Sequence, residues 1–421
     1  MTTPTAGLAA RIATASIAIV APWATSFATA QERMLAIRGD TVHTMAGPAI
    51  PDGVVLIADG RIRQVGPAAA VRIPEGVTTL RGRVVTPGLV DAHTVVGLSG
   101  YLNQPQDQDQ LDTGEAMQPE LRAIDAFNPQ ERLLEWVRGF GVTTIHTGHA
   151  PGALISGQTM IAKTSGQTAE DATLRPAAMV AVTLGDDARP KGEGAAKKSP
   201  GTRSKAVAML RGELVKAQEY LRKQTIADEA KRPDKDLRLE ALTKVLSREW
   251  PLLVTADRAA DIASALRIAD EFKIRIVLDS AAEAYLLTDR IKAAGAPVIV
   301  HPTMRRAGTG ETENLSFETA ATLRKAGIPV ALQSGYEGYV PKTRVVLFEA
   351  AIAAANGLSF EQALATITID AAKIIGVADR VGSLEPGKDG DVAIFDGDPF
   401  EYTTHCTGVV IDGRVMSDEP R

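Results

Sequence analysis

Short apolar runs alternate with longer helix-like segments from residue 252 to residue 332, and this alternation constrains the fold more than any other feature. Parallel strands need a crossover connection, usually a helix, so the pattern predicts an α/β chain with a parallel sheet. Seven strands can be read, and we place an eighth between Ala153 and Lys163. Eight such units would close into a TIM-like (β/α)8 barrel. The seven strands are expected at 84–90, 142–145, 177–184, 252–255, 274–278, 297–300 and 328–332.

Two helix starts can be read from capping sequences. Ser359 is followed three residues later by Gln362, and this capping box predicts that a helix begins there. Asn128 precedes Pro129 and is followed three residues later by Glu131, which predicts a second start. The helices are expected at 203–246, 258–272, 283–294, 317–325, 344–355 and 360–375.

Both ends of the chain alternate short apolar runs with glycine-containing turns, a pattern typical of antiparallel strands. The first set occupies residues 34–83 and the second occupies residues 390–416. Neither set has enough strands to bury a core alone, so we expect one small β-sandwich built from both termini. The predicted domains are therefore a sandwich of residues 31–84 plus 383–421 and a barrel of residues 85–382.

The first thirty residues have the pattern of a signal peptide. Arg11 precedes an apolar run over residues 12–21, and small residues end at Ala28-Thr29-Ala30, an A-x-A cleavage pattern. The run is too short for a permanent membrane anchor. We expect residues 1–30 to be removed, which would leave an exported protein, periplasmic or secreted, without a membrane anchor. A frayed N-terminal helix is the alternative.

The charge and the cysteine content argue against several kinds of partner and site. The chain has 46 Lys and Arg against 51 Asp and Glu, a formal net charge of -5. This balance argues against binding to nucleic acid or to an anionic membrane surface. Cys406 is the single cysteine, which excludes an intrachain disulfide and a thiolate zinc cluster. We interpret Cys406 as a small buried hydrophobic residue.

Three segments of the chain carry motifs of one known family. Residues 85–93 read VTPGLVDAH, which is similar to the P-G-x-x-D-x-H-x-H stretch that ends the first barrel strand of the amidohydrolase superfamily, and the resemblance is nearest to its imidazolonepropionase-like branch. Residues 58–66 read ADGRIRQVG and resemble the sandwich strands that precede that strand. Residues 384–395 read LEPGKDGDVAIF and resemble the return to the sandwich. The resemblance covers nearly all of the chain after residue 30.

The resemblance implies a hydrolase of carbon–nitrogen bonds other than peptide bonds, with a divalent metal that polarises the carbonyl and activates water. It implies two histidine ligands on the first barrel strand, one on each of two later strands, and an aspartate on the last. Of these ligands His93 is present. The other four positions are occupied by Val95, Thr255, Ser280 and Gly335. Valine and glycine side chains cannot coordinate a metal and hydroxyl groups are poor zinc ligands, so we expect the usual site to be mostly replaced.

A metal site at other residues is one alternative. Four of the six histidines lie at or just after predicted strand ends, and three converging imidazoles with a water would form an open zinc site. Histidines that hydrogen-bond the loop backbone or a substrate are the other alternative. The candidate ligands are His93, His146, His149 and His301, and the nearby carboxylates that could act as a base or ligand are Asp257, Asp279 and Glu337.

Two functions remain open from the sequence. The first is hydrolysis of a carbon–nitrogen bond in a small molecule, either without a metal or with a divalent ion, such as zinc, at a relocated site. The second is a catalytically inactive protein that binds a ligand or acts as a partner subunit, beside an active paralogue or as a homo-oligomer. The replaced ligand positions motivate the second function.

Overall fold

The computed structural model describes residues 1–2, 33–102, 104–189, 199–302, 310–336 and 345–420. Residues 3–30 of the predicted signal peptide, and the candidate carboxylate Glu337, lie outside the described residues. Within the described ranges, no helix has both the length and the apolar character needed to cross a membrane. The chain from Arg33 onward forms one structural unit.

Strands and helices are numbered in chain order. The strands are β1 (Met34–Val42), β2 (Ile50–Ala58), β3 (Arg61–Pro67), β4 (Thr78–Pro87), β5 (Leu89–Thr94), β6 (Val142–Thr147), β7 (Ile155–Gln158), β8 (Met160–Lys163), β9 (Thr173–Arg175), β10 (Val180–Thr183), β11 (Leu252–Thr255), β12 (Ile276–Ser280), β13 (Val298–Val300), β14 (Val330–Leu332), β15 (Val392–Phe395), β16 (Cys406–Ile411) and β17 (Arg414–Ser417). The α-helices are α1 (Arg132–Arg138), α2 (Ala169–Ala172), α3 (Arg203–Gln224), α4 (Leu237–Leu246), α5 (Ala259–Phe272), α6 (Thr288–Ala294), α7 (Thr319–Lys325), α8 (Val346–Ala355), α9 (Phe360–Thr366) and α10 (Ile369–Ile375).

The two ends of the chain build one seven-stranded sheet in the order β17-β16-β15-β4-β1-β2-β3, which we call the terminal sheet. Strand β4 joins its two halves because it pairs in parallel with β1 and antiparallel with β15. Ile37, Ile57 and Ile394 pack in one buried apolar cluster, so residues from both termini share a core. The finer expectation of a β-sandwich stays a prediction, because the strands are hydrogen-bonded as a single sheet.

The middle of the chain forms two further sheets. One has the order β14-β13-β12-β11-β10-β7, in which β10 to β14 are parallel and β7 is antiparallel to β10. The other has the order β5-β6-β8-β9. Helices α5, α6 and α7 provide the crossovers between β11, β12, β13 and β14. The predicted alternation of parallel strands and helices is confirmed.

A backbone bridge connects the two central sheets at one edge, and the chain passes from one sheet to the other at residue 159. Thr94, at the end of β5, forms a parallel bridge with Gly335, which follows β14. Between β7 and β8, the backbone N–H of Thr159 donates to the carbonyl of Met179, the residue before β10, at 2.9 Å. The eighth strand expected within residues 153–163 is therefore a pair of short strands, and each strand of the pair belongs to a different sheet.

The alternation of side chains along the parallel strands places the candidate site. One residue from each of β11 to β14 lies in a common buried cluster with residues of α10; these are Leu253, Val277, Ile299 and Ala331. Side chains of a strand alternate between its two faces, so the residues two positions further along point to the same side. Those residues are Thr255, Asp279, His301 and Gln333.

Two of the predicted helices are each divided in the structure. The tract 203–246 consists of α3 and α4, and the break between them contains Pro233, which cannot continue a helix. The segment 360–375 consists of α9 and α10, separated at Ile367 and Thr368. The helical periodicity was sufficient to locate these helices but not to locate the breaks.

The predicted helix start at Ser359 is confirmed, whereas the start at Asn128 is wrong. Ser359 and Gln362 form the reciprocal capping box at the start of α9. Helix α1 begins instead at Arg132, and its N-cap is Glu131, whose side chain accepts a hydrogen bond from the backbone N–H of Leu133. The Asn128 side chain is used differently, because it accepts from the backbone N–H of Gln130 within the preceding turn.

Candidate active site

Buried polar side chains gather where β5, β11, β12 and β14 end. Ligands of parallel α/β folds bind at the carboxyl ends of the strands, so this cluster is the candidate active site. We call it the strand-end cluster. Its members are Asp91, His93, Thr94, His146, Thr159, Thr255, Asp279, Gln333 and Ser334.

A hydrogen bond between His93 and Asp279 forms the centre of the strand-end cluster. Nδ1 of His93 lies 2.9 Å from Oδ1 of Asp279, although the two residues are 186 positions apart in the chain. Both side chains are buried, with exposures of 1% and 0%. Among the described residues, Nε2 of His93 has no hydrogen-bond partner. Nε2 is buried, and it is the ring nitrogen of His93 that the described residues leave without a partner.

Two further side chains hold Asp279. The hydroxyl of Thr255 donates to Oδ2 at 2.6 Å, and Nε2 of Gln333 donates to Oδ1 at 3.0 Å. Burial would raise the pKa of Asp279, but the charge and hydrogen bond of His93, with these two donors, hold the pKa below its usual value. An ionised carboxylate can only accept hydrogen bonds, so Nδ1 of His93 carries the proton between them.

A second carboxylate, Asp91, ties β5 to the segment after β14. The backbone N–H of Ser334 donates to its Oδ1 at 3.0 Å, and the Ser334 hydroxyl donates to its Oδ2. Burial raises the pKa of Asp91 to about 7, although the hydrogen bonds from Ser334 and from the backbone N–H of His93 oppose that rise. The Ser334 hydroxyl also lies 3.0 Å from Oγ1 of Thr94.

Both ring nitrogens of His146 are already used by the fold. Nδ1 lies 2.7 Å from the carbonyl of Ala92, and Nε2 lies 2.7 Å from the hydroxyl of Thr159. Burial, with the nearby charge of His93, lowers the pKa of His146 to about 3, so the ring is neutral at neutral pH. A metal could bind His146 only if one of these hydrogen bonds were broken.

The other two predicted histidines lie in loops that follow β6 and β13. His149 follows β6 and lies against Gly157, where an added Cβ would be 2.5 Å from its Nε2. Burial lowers the pKa of His149 to about 4. His301 follows β13, and its backbone N–H donates to the carbonyl of Ser280 at 2.7 Å. Its Nδ1 lies 3.2 Å from the carbonyl of Pro302.

Asp257 caps a turn that follows β12. Its Oδ1 accepts from the hydroxyl of Ser280 at 2.6 Å and from the backbone N–H of Ala282 at 3.2 Å. Ser280 and Ala281 have φ angles of +63° and +50°, in the left-handed region that such residues seldom adopt. Strained backbone of this kind often lies at functional sites. Asp257 therefore supports the turn beside the strand-end cluster.

The residues at the expected ligand positions do not fit the family's metal. Val95 is buried and apolar, and the hydroxyl of Thr255 is used by Asp279. Gly335 has a φ of +88°, and an added Cβ would lie 2.5 Å from Cγ of Pro302, so an aspartate there requires rearrangement. In the part of the chain that the structure describes, no group of three His, Cys, Asp or Glu side chains could hold a metal ion. The relocated site stays a prediction.

Five members of the strand-end cluster were not singled out from the sequence: Asp91, Thr94, Thr159, Gln333 and Ser334. Asp91 lies inside the VTPGLVDAH segment, two residues before His93. Gln333 lies two positions after the interior residue Ala331, so the strand period of two could have identified it once the register was known. Thr159 separates β7 from β8, where no sequence pattern marked a site.

Comparison with known proteins places this fold in a family. Residues 130–417 match the model of a family described as the amidohydrolase family. An imidazolonepropionase of Rhizorhabdus wittichii is 25% identical over 401 residues, covering 85% of this chain and 92% of that protein. An imidazolonepropionase of Stenotrophomonas maltophilia is 25% identical over 395 residues, covering 88% of this chain and 92% of that protein.

Solved structures show the same architecture. An amidohydrolase from Thermotoga maritima MSB8 has a TM-score of 0.86 at 28% identity, covering 91% of this chain and all of that chain. An adenosine deaminase from Xanthomonas campestris, solved with bound zinc, has a TM-score of 0.52 at 16% identity, covering 91% of this chain and 93% of that chain. The latter likeness concerns the fold alone. Together they confirm an α/β fold with a TIM-like domain.

Proposed function

The chain belongs to the amidohydrolase family, and from that premise we propose that it hydrolyses a carbon–nitrogen bond, other than a peptide bond, in a small molecule. The similarity to imidazolonepropionases along most of the chain supports a cyclic amide as the substrate. The strand-end cluster lies where TIM-like folds bind their substrates. A finer architectural proposal accompanies this one: the central strands close as a (β/α)8 barrel, and the terminal sheet folds over as a sandwich.

One observation carries the proposal: Asp279 orients His93, and Nε2 of His93 lacks a hydrogen-bond partner among the described residues. A histidine fixed by a carboxylate at one nitrogen can accept a proton at the other. In the proposed reaction, Nε2 takes a proton from water as the water oxygen bonds to the carbonyl carbon. The carbon–nitrogen bond then breaks, and His93 returns the proton to the leaving nitrogen.

A divalent metal is the family's usual means of activating water and polarising the carbonyl. The residues at the expected ligand positions do not fit that group, so the proposed reaction contains no metal step. A rebuilt site at His93, His146, His149 and His301 is a separate proposal. Elemental analysis of untagged protein would support it by finding near-stoichiometric zinc, manganese or iron. Protein that stays metal-free after incubation with excess metal would contradict it.

The activity is tested with a panel of lactams and cyclic amides that includes imidazolonepropionate, the compound that the relatives' name denotes. We expect ring opening by the native chain. His93→Ala should lower kcat/KM by about a hundredfold or more, because the proton acceptor is lost. His405→Ala is the matched control, because His405 is exposed and pairs with Asp396 at 3.1 Å in the loop between β15 and β16. Equal activity in the two variants would contradict the proposal.

A second candidate function is a catalytically inactive protein that binds a ligand or serves as a partner subunit. The closeness of Pro302 to Gly335 favours it, because a Cβ added at Gly335 would lie 2.5 Å from Cγ of Pro302, so the aspartate that the family resemblance implies there requires rearrangement. A ligand that raises the melting temperature without being hydrolysed would support this function. Hydrolysis that His93→Ala abolishes would reject it.

Location and assembly are part of the proposal. Cleavage of residues 1–30 would release an exported protein, periplasmic or secreted, that acts as a homo-oligomer or with a paralogue. Mass spectrometry of the protein recovered from each compartment tests the cleavage, since a mature N-terminus near Gln31 is expected. A full-length chain in the cytoplasm would contradict it. Light scattering of the same sample gives the oligomeric state.

A further inference from the structure

Thr255 and Gln333 both donate hydrogen bonds to Asp279, the carboxylate that orients His93 in the proposed reaction. Thr255 ends β11 and Gln333 follows β14, so the two side chains reach Asp279 from strands on either side of β12. Each donates to a different oxygen of Asp279, the hydroxyl to Oδ2 at 2.6 Å and the amide to Oδ1 at 3.0 Å. Gln333 and Asp279 are fully buried, and Thr255 is 6% exposed.

These contacts leave the Asp279 carboxylate little freedom to turn. With Nδ1 of His93 as the third donor, both oxygens are used, and rotation about the carboxylate bond would leave a buried donor without its acceptor. The Gln333 amide is itself held by a weaker contact to the carbonyl of Ile299 at 3.4 Å. The family resemblance implies a histidine ligand at position 255. In this chain the residue there is Thr255, which donates a hydrogen bond to Asp279 instead.

We propose that Thr255 and Gln333 are positioning residues that fix Asp279, so that the neutral form of His93 is held with its proton on Nδ1 and its lone pair on Nε2. This inference rests on the proposed function for its catalytic consequence, but the tautomer of His93 can be measured without turnover. Without the two donors, Asp279 can rotate, and His93 then samples the tautomer whose Nε2 is protonated and cannot accept a proton from water.

The tautomer is measured by long-range proton–nitrogen NMR on protein labelled with [15N]histidine. The chain has only six histidines, and the spectrum of His93→Gln assigns the signal of His93 by its loss. At a pH where His93 of the native chain is neutral, we expect one protonated and one unprotonated nitrogen, with the proton on Nδ1. In the double variant Thr255→Val, Gln333→Leu we expect a mixture of tautomers.

Kinetics provide the second readout. The double variant should lower kcat about ten- to a hundredfold, the effect of losing groups that orient a site residue. KM should stay within about twofold, because neither side chain needs to touch the substrate. Thr255→Ser should keep the native tautomer and most of kcat, since it retains the hydroxyl.

The matched controls are Thr366→Val and Gln224→Leu. Thr366 is a buried threonine whose hydroxyl donates to the carbonyl of Ala363 at 2.6 Å, and Gln224 is a half-buried glutamine whose amide donates to the carbonyl of Pro233 at 3.5 Å. Both lie on helices outside the strand-end cluster. Circular dichroism of every variant confirms folding, and Thr255→Ser supplies a mild variant if the double variant does not fold.

The outcomes separate this inference from the proposed function. A native His93 with its proton on Nε2, or a double variant with the native tautomer and kcat, would overturn the positioning roles. A native chain that hydrolyses nothing in the panel, yet loses its fixed tautomer in the double variant, would overturn the proposed function and support the positioning roles.

Discussion

At the residue scale, Gly335 connects backbone conformation to the chemistry of the strand-end cluster. Its φ of +88° is a conformation that glycine adopts without strain, and a Cβ added to it would lie 2.5 Å from Cγ of Pro302. Its backbone N–H donates to the carbonyl of His93 at 3.3 Å, so a shift of Gly335 also disturbs the strand that carries His93. A side chain here would therefore affect both the fold and the site.

We predict that Gly335→Ala lowers the free energy of unfolding by more than Gly76→Ala does. Both glycines have similar positive φ angles, +88° and +82°, but an added Cβ meets Pro302 at Gly335 and nothing within 4 Å at Gly76. The conformational cost is about 1 kcal/mol at each position, and the clash adds about 1–3 kcal/mol at Gly335 alone. Urea unfolding measures the difference. Equal losses of unfolding free energy in the two variants would show that Pro302 moves away from the new methyl group at little cost.

At the element scale, the end of β8 is attached to the terminal sheet through Lys163. Its Nζ lies 2.8 Å from Oδ2 of Asp389 and 3.1 Å from Oδ1 of Asp391, and it also contacts Asp412. The Lys163 side chain is only 5% exposed. Burial opposes its charge, but the three carboxylates raise the pKa of Lys163 above its usual value, so the ammonium group remains charged.

Lys163→Met should therefore destabilise the protein strongly. The variant leaves Asp389 and Asp391 buried without this counter-charge, and breaking a buried ion pair costs about 3–5 kcal/mol. Lys273→Met is the control, because Lys273 is 75% exposed and pairs with an exposed Asp270, an arrangement worth about 0–1 kcal/mol. Denaturant unfolding of the two variants measures the contrast. A small effect at Lys163 would mean that Arg61 and Arg380, which also bind Asp389, are sufficient.

The helix starts at Ser359 and near Asn128 show how far a local sequence pattern can predict where a helix begins. Ser359 and Gln362 form the capping box that their spacing predicts, because both partners lie within one turn. Asn128 has an equally suitable spacing to Glu131, yet Glu131 is itself the cap of α1, and Tyr101 also donates its backbone N–H to the Glu131 carboxylate at 2.8 Å. The two local alternatives were a cap at Asn128 and a cap at Glu131. In the structure Glu131 is the cap, and it also binds Tyr101, 30 residues away in the chain.

At the scale of the whole molecule, the buried thiol of Cys406 can serve as a probe of global unfolding. It is the single cysteine and lies in β16 of the terminal sheet, 3% exposed. Burial raises the pKa of the Cys406 thiol to about 12, above the ordinary value of about 8.5. The folded state therefore favours the neutral thiol. Its contribution to stability is complete below the unfolded pKa and is lost as the pH rises from there towards the folded value.

We predict that native protein at pH 8 reacts with a thiol-specific chromogenic disulfide only as fast as it unfolds, because the reactive thiolate is nearly absent. The labelling rate should rise with urea in parallel with the loss of circular dichroism. Rapid labelling without denaturant would show that the edge of the terminal sheet opens independently of the rest of the fold.

The amino-acid sequence by itself predicted the alternation of parallel strands and helices and the family, because periodicity and short motifs are local. It also predicted that the two chain ends combine, because neither has enough strands alone, but it did not locate the helix breaks. It also placed His93 and Asp279 among the candidates, since both lie at strand ends. Only the tertiary structure decided that these two residues meet across 186 positions, and that Thr255 and Gln333 hold Asp279. Those contacts depend on strand register and on burial, which bring together donors and acceptors that no local pattern connects.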